Sequence, residues 1–135
     1  MEDKMKLAIV GGRDFDGYEK LEDVMNFFRV EDFQEVGVII SGGAKGADSL
    51  GERYAENWQI PIKRFLPDWN KFGRSAGFRR NQQIVDACDM VLAFWDGKSR
   101  GTKDTIDKAR IAKKPTFIIY YDKPKIKKPI EMKGL

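Results

Sequence analysis

The sequence predicts one α/β domain in which a mostly parallel five-stranded sheet, ordered 3-2-1-4-5, lies between two layers of helices. Two observations predict it. Five short apolar runs alternate with four amphipathic stretches from end to end. The runs are continuous rather than alternating, which suits strands covered on both faces. Right-handed crossovers then give a doubly wound three-layer sandwich whose strand order reverses between strands 1 and 4. At 135 residues the chain has room for one such domain, read as residues 1–121, followed by a basic tail over 122–135.

Each element has its own signal. Lys6–Val10 is the first strand and ends in Gly11-Gly12. A helix over Tyr18–Val30 follows, with Leu21, Val24, Met25 and Phe28 at helical spacing. Val36–Ile40 is a β-branched strand ending in Ser41-Gly-Gly43. Ala47, Leu50, Tyr54, Ala55 and Trp58 form the inward stripe of the second helix. Ile60–Phe65 is a short strand that tolerates Pro61 near its start. Residues 66–73 read as loop, and Arg74–Ala87 as a helix with Phe78, Ile84, Val85 and Cys88 inward. Asp89–Trp95 is the fourth strand and Asp96–Gly101 a turn. Thr102–Lys114 is a helix with Ile106, Ala109 and Ala112 inward, closed by Pro115 before the last strand, Thr116–Tyr121.

Composition narrows the chemistry. There is no histidine, which excludes Ser-His-Asp triads, Cys-His pairs and HExxH zinc sites. The single cysteine, Cys88, excludes an intrachain disulfide and Cys-rich metal sites. The mixed charges of Met1–Lys6 do not read as a signal peptide, and the apolar runs are far below the ~20 residues of a membrane helix, so a cytoplasmic protein without a membrane partner is expected. Lys and Arg number 25 against 21 Asp and Glu, a formal net charge of +4. Residues 1–121 carry 20 basic and 19 acidic side chains, which argues against a broad DNA footprint. One basic face and the Lys-rich tail remain the places where nucleic acid could touch, and the tail reads first as a solvated, Pro-interrupted terminus.

Ligands of doubly wound sheets bind at the carboxyl ends of strands beside the reversal, which points to loops 11–17, 41–48 and 96–102. In the first, Gly11-Gly12 lets backbone approach a ligand and Arg13 can pair a phosphate, although a tight turn with a surface Arg has the same sequence. In the second, Ser41-Gly-Gly-Ala-Lys-Gly-Ala-Asp48 runs from strand through glycine loop to helix, as in an anion site; close helix–strand packing is the other use of such glycines. It is not a Walker A loop. In the third, Asp96-Gly-Lys-Ser-Arg-Gly-Thr102 again feeds a helix. Asp14 and Asp96 would flank the crevice and could hold a sugar hydroxyl or Mg²⁺, or merely turn the chain. A fourth stretch gathers Arg74, Arg79 and Arg80 after Trp69 and Phe72, suited to stacking on a base and neutralising phosphate or to a plain solvated basic helix. Asn81, near the apolar face, needs a polar partner.

Taken in order, Gly12-Arg13-Asp14-Phe15, Ser41–Asp48, Asp68-Trp69 with Ala76-Gly-Phe-Arg-Arg-Asn81, and Ala93-Phe-Trp-Asp96 with Arg100-Gly-Thr102 resemble the YspA-like branch of the SLOG superfamily over residues 6–120. The resemblance implies a Rossmann-like fold that binds a nucleotide-derived small molecule, and often a homodimer. Relatives include LOG-type phosphoribohydrolases, the DNA-processing protein DprA and sensors of NAD-derived signals. In the phosphoribohydrolases the last motif reads Gly-Gly-x-Gly-Thr-x-x-Glu. Here Thr105 stands where that Glu would be, and Asp104 is one residue off, about 100° around a helix. The phosphate-binding half of the motif is kept and the catalytic half is not.

The expectation is therefore a ligand binder acting as a sensor, sequestering or regulatory protein. Its ligand residues would be Gly12, Arg13, Ser41, Gly42, Gly43, Lys45, Gly46, Asp48, Arg79, Arg80, Asn81, Asp96, Gly101 and Thr102. Two alternatives stand beside it. One is a nucleotide hydrolase using Asp14, Asp48 or Asp104 in place of the missing Glu. The other is a DNA-binding module related to DprA.

Overall fold

A computed structural model describes residues 4–30 and 35–122; the tail expected to be basic lies, apart from Asp122, outside the described residues. Five strands, β1 (Met5–Gly11), β2 (Val36–Ser41), β3 (Ile62–Arg64), β4 (Met90–Trp95) and β5 (Thr116–Tyr120), form one sheet in the order β3-β2-β1-β4-β5. Every pairing is parallel. The fold is the Rossmann-like α/β sandwich that the sequence predicts.

Residue alternation along the strands builds two separate cores. Leu7, Ile9, Ile39, Leu92 and Phe94 face helices α1 (Tyr18–Val30) and α2 (Ala47–Asn57), meeting Leu21, Met25, Tyr54 and Ala55. Ala8, Val10, Ile40, Val91 and Ala93 face the opposite way, onto α4 (Ala76–Ala87) and α5 (Arg100–Ile111), meeting Ile84, Val85, Cys88, Ile106 and Ala109. This is why β1 and β4 are apolar at nearly every position: neither of their faces sees water. No helix of the described residues is long and apolar enough to cross a membrane.

Several boundaries and inward positions differ from the sequence expectation. Residues 66–73 are not all loop. Trp69–Phe72 form a short helix, α3, because the Asp68 carboxylate accepts the Lys71 amide at 3.0 Å and caps it. Gly73, at φ 55°, ends it and a 3₁₀ turn over Gly73–Ser75 leads into α4, so that helix begins at Ala76 rather than Arg74. With Ala76 buried, Phe78 stands about 200° around the axis and is 47% exposed beneath the Lys108 ammonium, not inward as its apolarity suggests. α5 starts two residues before Thr102 and stops at Ile111, since Lys113 adopts φ 58°; Ala112 is exposed instead of inward. Trp58 likewise falls at the end of α2 and is half exposed, its ring tilted over Tyr54.

The glycines of the second loop serve this packing. Gly46, at φ 77° and ψ −126°, lies so close to the Gly12–Arg13 backbone that a Cβ would overlap the Gly12 carbonyl. Gly101 is the opposite case: a Cβ there meets nothing within 4 Å. Gly46→Ala is expected to cost at least about 2 kcal/mol of stability, whereas Gly101→Ala should stay within about 0.5 kcal/mol of the parent or gain from helix propensity. Urea denaturation of the two variants checks this, and equal costs would show that Gly46 is not held by the packing.

Candidate functional site

The carboxyl ends of β1 and β4, where the strand order reverses, open into a cleft of about 470 Å³. The first loop supplies Gly11, Gly12, Arg13 and Asp14; α4 supplies Arg80, Asn81 and Ile84; the β4–α5 turn and α5 supply Asp96, Ser99, Gly101, Thr102 and Thr105. From the second loop only Ala44 and Asp48 reach it.

One residue, Gly12, ties the first loop to β4 and to the start of α2. The Gly12 amide donates to the Phe94 carbonyl at 3.0 Å, and the Gly12 carbonyl accepts the amides of Phe15 at 3.2 Å and Ala47 at 3.1 Å. Phe15 then stacks on Phe94, with centroids 4.5 Å apart and planes 17° apart, and meets Tyr121 at 4.9 Å. The Tyr121 hydroxyl donates to the Asp14 carboxylate. Burial, with Asp14, Asp96 and Asp16 nearby, raises the Tyr121 pKa well above the ordinary phenol value. Tyr121 thus holds one wall of the cleft, a role that its place at the end of a strand did not signal.

Asp48 and Arg80 form the electrostatic centre. Asp48 is buried, at 6% exposure, and accepts the Ala44 amide at 3.1 Å. Burial pushes its carboxyl up from 3.8 to about 6, against the opposing pull of the Ala44 amide and the Arg80 charge. The Arg80 guanidinium donates to the Gly42 carbonyl and, through Nε, to Asn81 Oδ1 at 3.1 Å. Its own pKa is lowered, first by burial and also by Arg13, with Asp48 opposing. Gly42 makes the arrangement fit: a Cβ there would stand 2.6 Å from Arg80 Nη1 and 2.8 Å from Asp48 Oδ2.

The residues expected to hold ligand divide into three groups. Gly12, Arg13, Asp14, Asp48, Arg80, Asn81, Asp96, Gly101 and Thr102 line the cleft together. Ser41, Gly42, Gly43 and Gly46 do not; Ser41 Oγ donates to Glu52 at 2.7 Å and accepts the Gly43 amide at 3.0 Å, and Lys45 points to solvent. Arg79 lies outside, 4.4 Å above the Phe72 ring. Asp104 stands behind Asn81, accepting from Asn81 Nδ2 at 3.1 Å and from Lys108 at 2.6 Å. Ser99 and Ile84 were not expected in the lining, and neither carries a sequence signal beyond its neighbours. Thr105 also lines it, with Oγ1 donating to the Gly101 carbonyl at 3.4 Å.

For a cation, the described residues hold no group of three or more Asp, Glu, His or Cys that could cage one. Asp96 Oδ1 already accepts the amides of Lys98 and Ser99, both at 2.8 Å, and Asp14 accepts from Tyr121. Mg²⁺ at Asp14 or Asp96 would therefore draw most of its ligands from outside the protein.

The raised Asp48 pKa fixes a pH dependence. The unfolded chain ionises near 3.8, so the proton that folded Asp48 retains is a stabilising contribution present below that value and lost as pH rises through about 6. Asp48→Asn, which stays neutral, is expected to exceed the parent in stability at pH 7.5 by about 2–3 kcal/mol and to converge with it toward pH 4. Chemical denaturation across pH 4–8 measures the difference; a gap independent of pH would mean that Asp48 ionises without cost.

The sequence over residues 5–72, from β1 through α3, matches the YspA, cpYpsA-related SLOG family. The chain is also similar to the Gene 61 protein of Mycobacterium phage D29, 37% identical over 93 residues that cover 64% of this chain and 74% of that protein. No solved structure matches. The chain belongs to the YspA, cpYpsA-related SLOG family.

Proposed function

We propose that the cleft binds a nucleotide or nucleotide-derived ligand, phosphate first, and that the protein acts as a sensor, sequestering factor or regulatory partner for it. The observation that carries this reading is the pair Arg13 and Arg80. They come from different elements, line the same cleft, and neither belongs to a salt bridge among the described residues. Both guanidinium groups share the cleft with the start of α5 at Gly101 and Thr102, and each can pair a phosphate through directed N–H donors, while Asp14, Asp48 and Asp96 stand on the same walls. Asp14 and Asp96 on the same walls are acceptors suited to sugar hydroxyls. Family membership supports a nucleotide-related ligand at the level of the family.

A second reading, hydrolysis of the bound nucleotide, draws on Asp48. A buried cleft carboxyl with a pKa of about 6 can hold or release a proton near neutral pH, as a general acid or base must. Against it stands Thr105 in the position of the enzymes' carboxylate. Chromatography of the ligand after hours with the protein separates the readings: intact ligand supports binding, and multiple-turnover release of free base supports hydrolysis.

Arg13→Ala tests the phosphate contact without disturbing Arg80, which also supports the Gly42 carbonyl. By calorimetry, affinity for a 5′-mononucleotide should fall about tenfold or more, from the loss of ~1.5–3 kcal/mol of charge-assisted pairing, with the matching nucleoside much less affected. Equal weakening of both would remove phosphate from Arg13.

A further inference from the structure

Arg80 borders two hollows. One is the cleft; the other, of about 450 Å³, lies against α4's first turns on the other side of Arg80 and is lined by Leu66, Asp68, Lys71, Phe72, Arg79 and Gln83 among others. Resting on the reading of the cleft as a nucleotide site, we propose that the second hollow receives a second nucleotide unit, so that the ligand is a dinucleotide whose linking phosphate lies at Arg80.

The chemistry of the second hollow is that of a nucleotide, in three parts. Charge comes first. Lys71, Arg79 and Arg80 contribute three cations against one carboxylate, and none of the three is in a salt bridge among the described residues. The carboxylate, Asp68, is already occupied at Oδ1 by the Lys71 amide as a helix cap. The net field therefore favours an anion.

An aromatic surface comes second. The half-buried Phe72 ring carries the Arg79 guanidinium 4.4 Å from its centroid and the Lys71 ammonium at 5.1 Å, while Leu66 beside it is 64% exposed. A purine or pyrimidine face can join such a stack, and its apolar area would cover Leu66. Arg79 is oriented there by Ser75, whose hydroxyl accepts from Nε at 3.1 Å and itself donates to the Phe72 carbonyl at 2.9 Å. The third part is amide recognition: the Gln82 and Gln83 side chains present the donor and acceptor pair that a base edge requires, with Gln82 Nε2 already held by Asp86 at 2.8 Å.

The junction has the geometry for a shared phosphate. Arg80 uses Nη1 toward Gly42 and Nε toward Asn81, two of the five N–H donors of a guanidinium. The remaining donors belong to a cation that borders both spaces. A mononucleotide would fill one hollow and leave the other to solvent; two units joined through phosphate would use both.

The test compares 5′-mononucleotides with the matching 5′-phosphorylated homodinucleotides, for all four bases, by calorimetry on the full chain. For at least one base the dinucleotide should bind about tenfold or more tightly than the mononucleotide. That gain should collapse below about threefold in Phe72→Ala and separately in Arg79→Ala, each confirmed folded by its thermal transition. A mononucleotide that binds with no dinucleotide gain, or a gain that survives both substitutions, overturns the second subsite while the reading of the cleft stands. Binding of neither class overturns both.

Discussion

The backbone of Gly12 is the constraint on which the rest of the site depends. Its amide is anchored to β4 through Phe94, and its carbonyl receives both its own turn, at Phe15, and the start of α2, at Ala47. The first loop is thereby fixed to β4 and to the end of the second loop by backbone groups alone, before any side chain is considered. This geometry brings the α2 start against the first loop, and the closeness is bearable only because Gly46 has no side chain. The approach puts Arg13 and Asp48 in the lining of one opening. It also orients Asp48 to be buried rather than solvated, which is the origin of its raised pKa.

Arg80 extends the same logic to the other face of the sheet. α4 packs on the core formed by Ala8, Val10 and Ile40, whereas α2 packs on the core of the opposite face. The bond from Arg80 to the Gly42 carbonyl crosses from one layer to the loop that begins the other. Asn81, next in sequence, accepts from Arg80 and donates to the Gly101 carbonyl at 3.3 Å, carrying the connection on to the start of α5. The cleft is therefore bounded by elements of both layers, tied through one arginine and one amide. Buried polar links of this type are satisfied at every described side-chain atom.

Most of the fold was legible in the sequence because it rests on apolar periodicity. The continuous runs of β1 and β4 and the stripes of α1 and α2 need no tertiary information to be read. The order 3-2-1-4-5 followed from crossover handedness. The region 66–78 resisted, since α3 depends on one cap at Asp68 and one positive-φ glycine, and neither has a periodic signature. Phe78 departs from the sequence expectation for a related reason: hydrophobicity names a residue suited to the core, but buried Ala76 sets the phase of the helix. At the site, Arg13, Asp48, Asp96 and Thr102 stand out in the sequence as polar residues of glycine-bearing loops after strands, Arg80 as part of an arginine cluster at a helix start, and Asn81 as an amide near an apolar face. Tyr121 was not, because its partner, Asp14, is more than a hundred residues away. The glycines of the second loop carried an ambiguous signal. Gly42 and Gly46 open space for Arg80, Asp48 and the first loop, which is a packing use of these glycines.

The placement of Asp48 has a consequence for how the cleft would weigh different esters of phosphate. A phosphate monoester loses its second proton near pH 6, close to the pKa of about 6 at Asp48. A monoester set beside Asp48 and the carboxyl would then compete for the same proton, and entry of the dianion would draw one from solvent. A diester keeps a single negative charge throughout this range and makes no such demand. Acidity would thus act on the two kinds of ligand unequally, through a carboxyl whose burial is a by-product of how closely two loops approach each other.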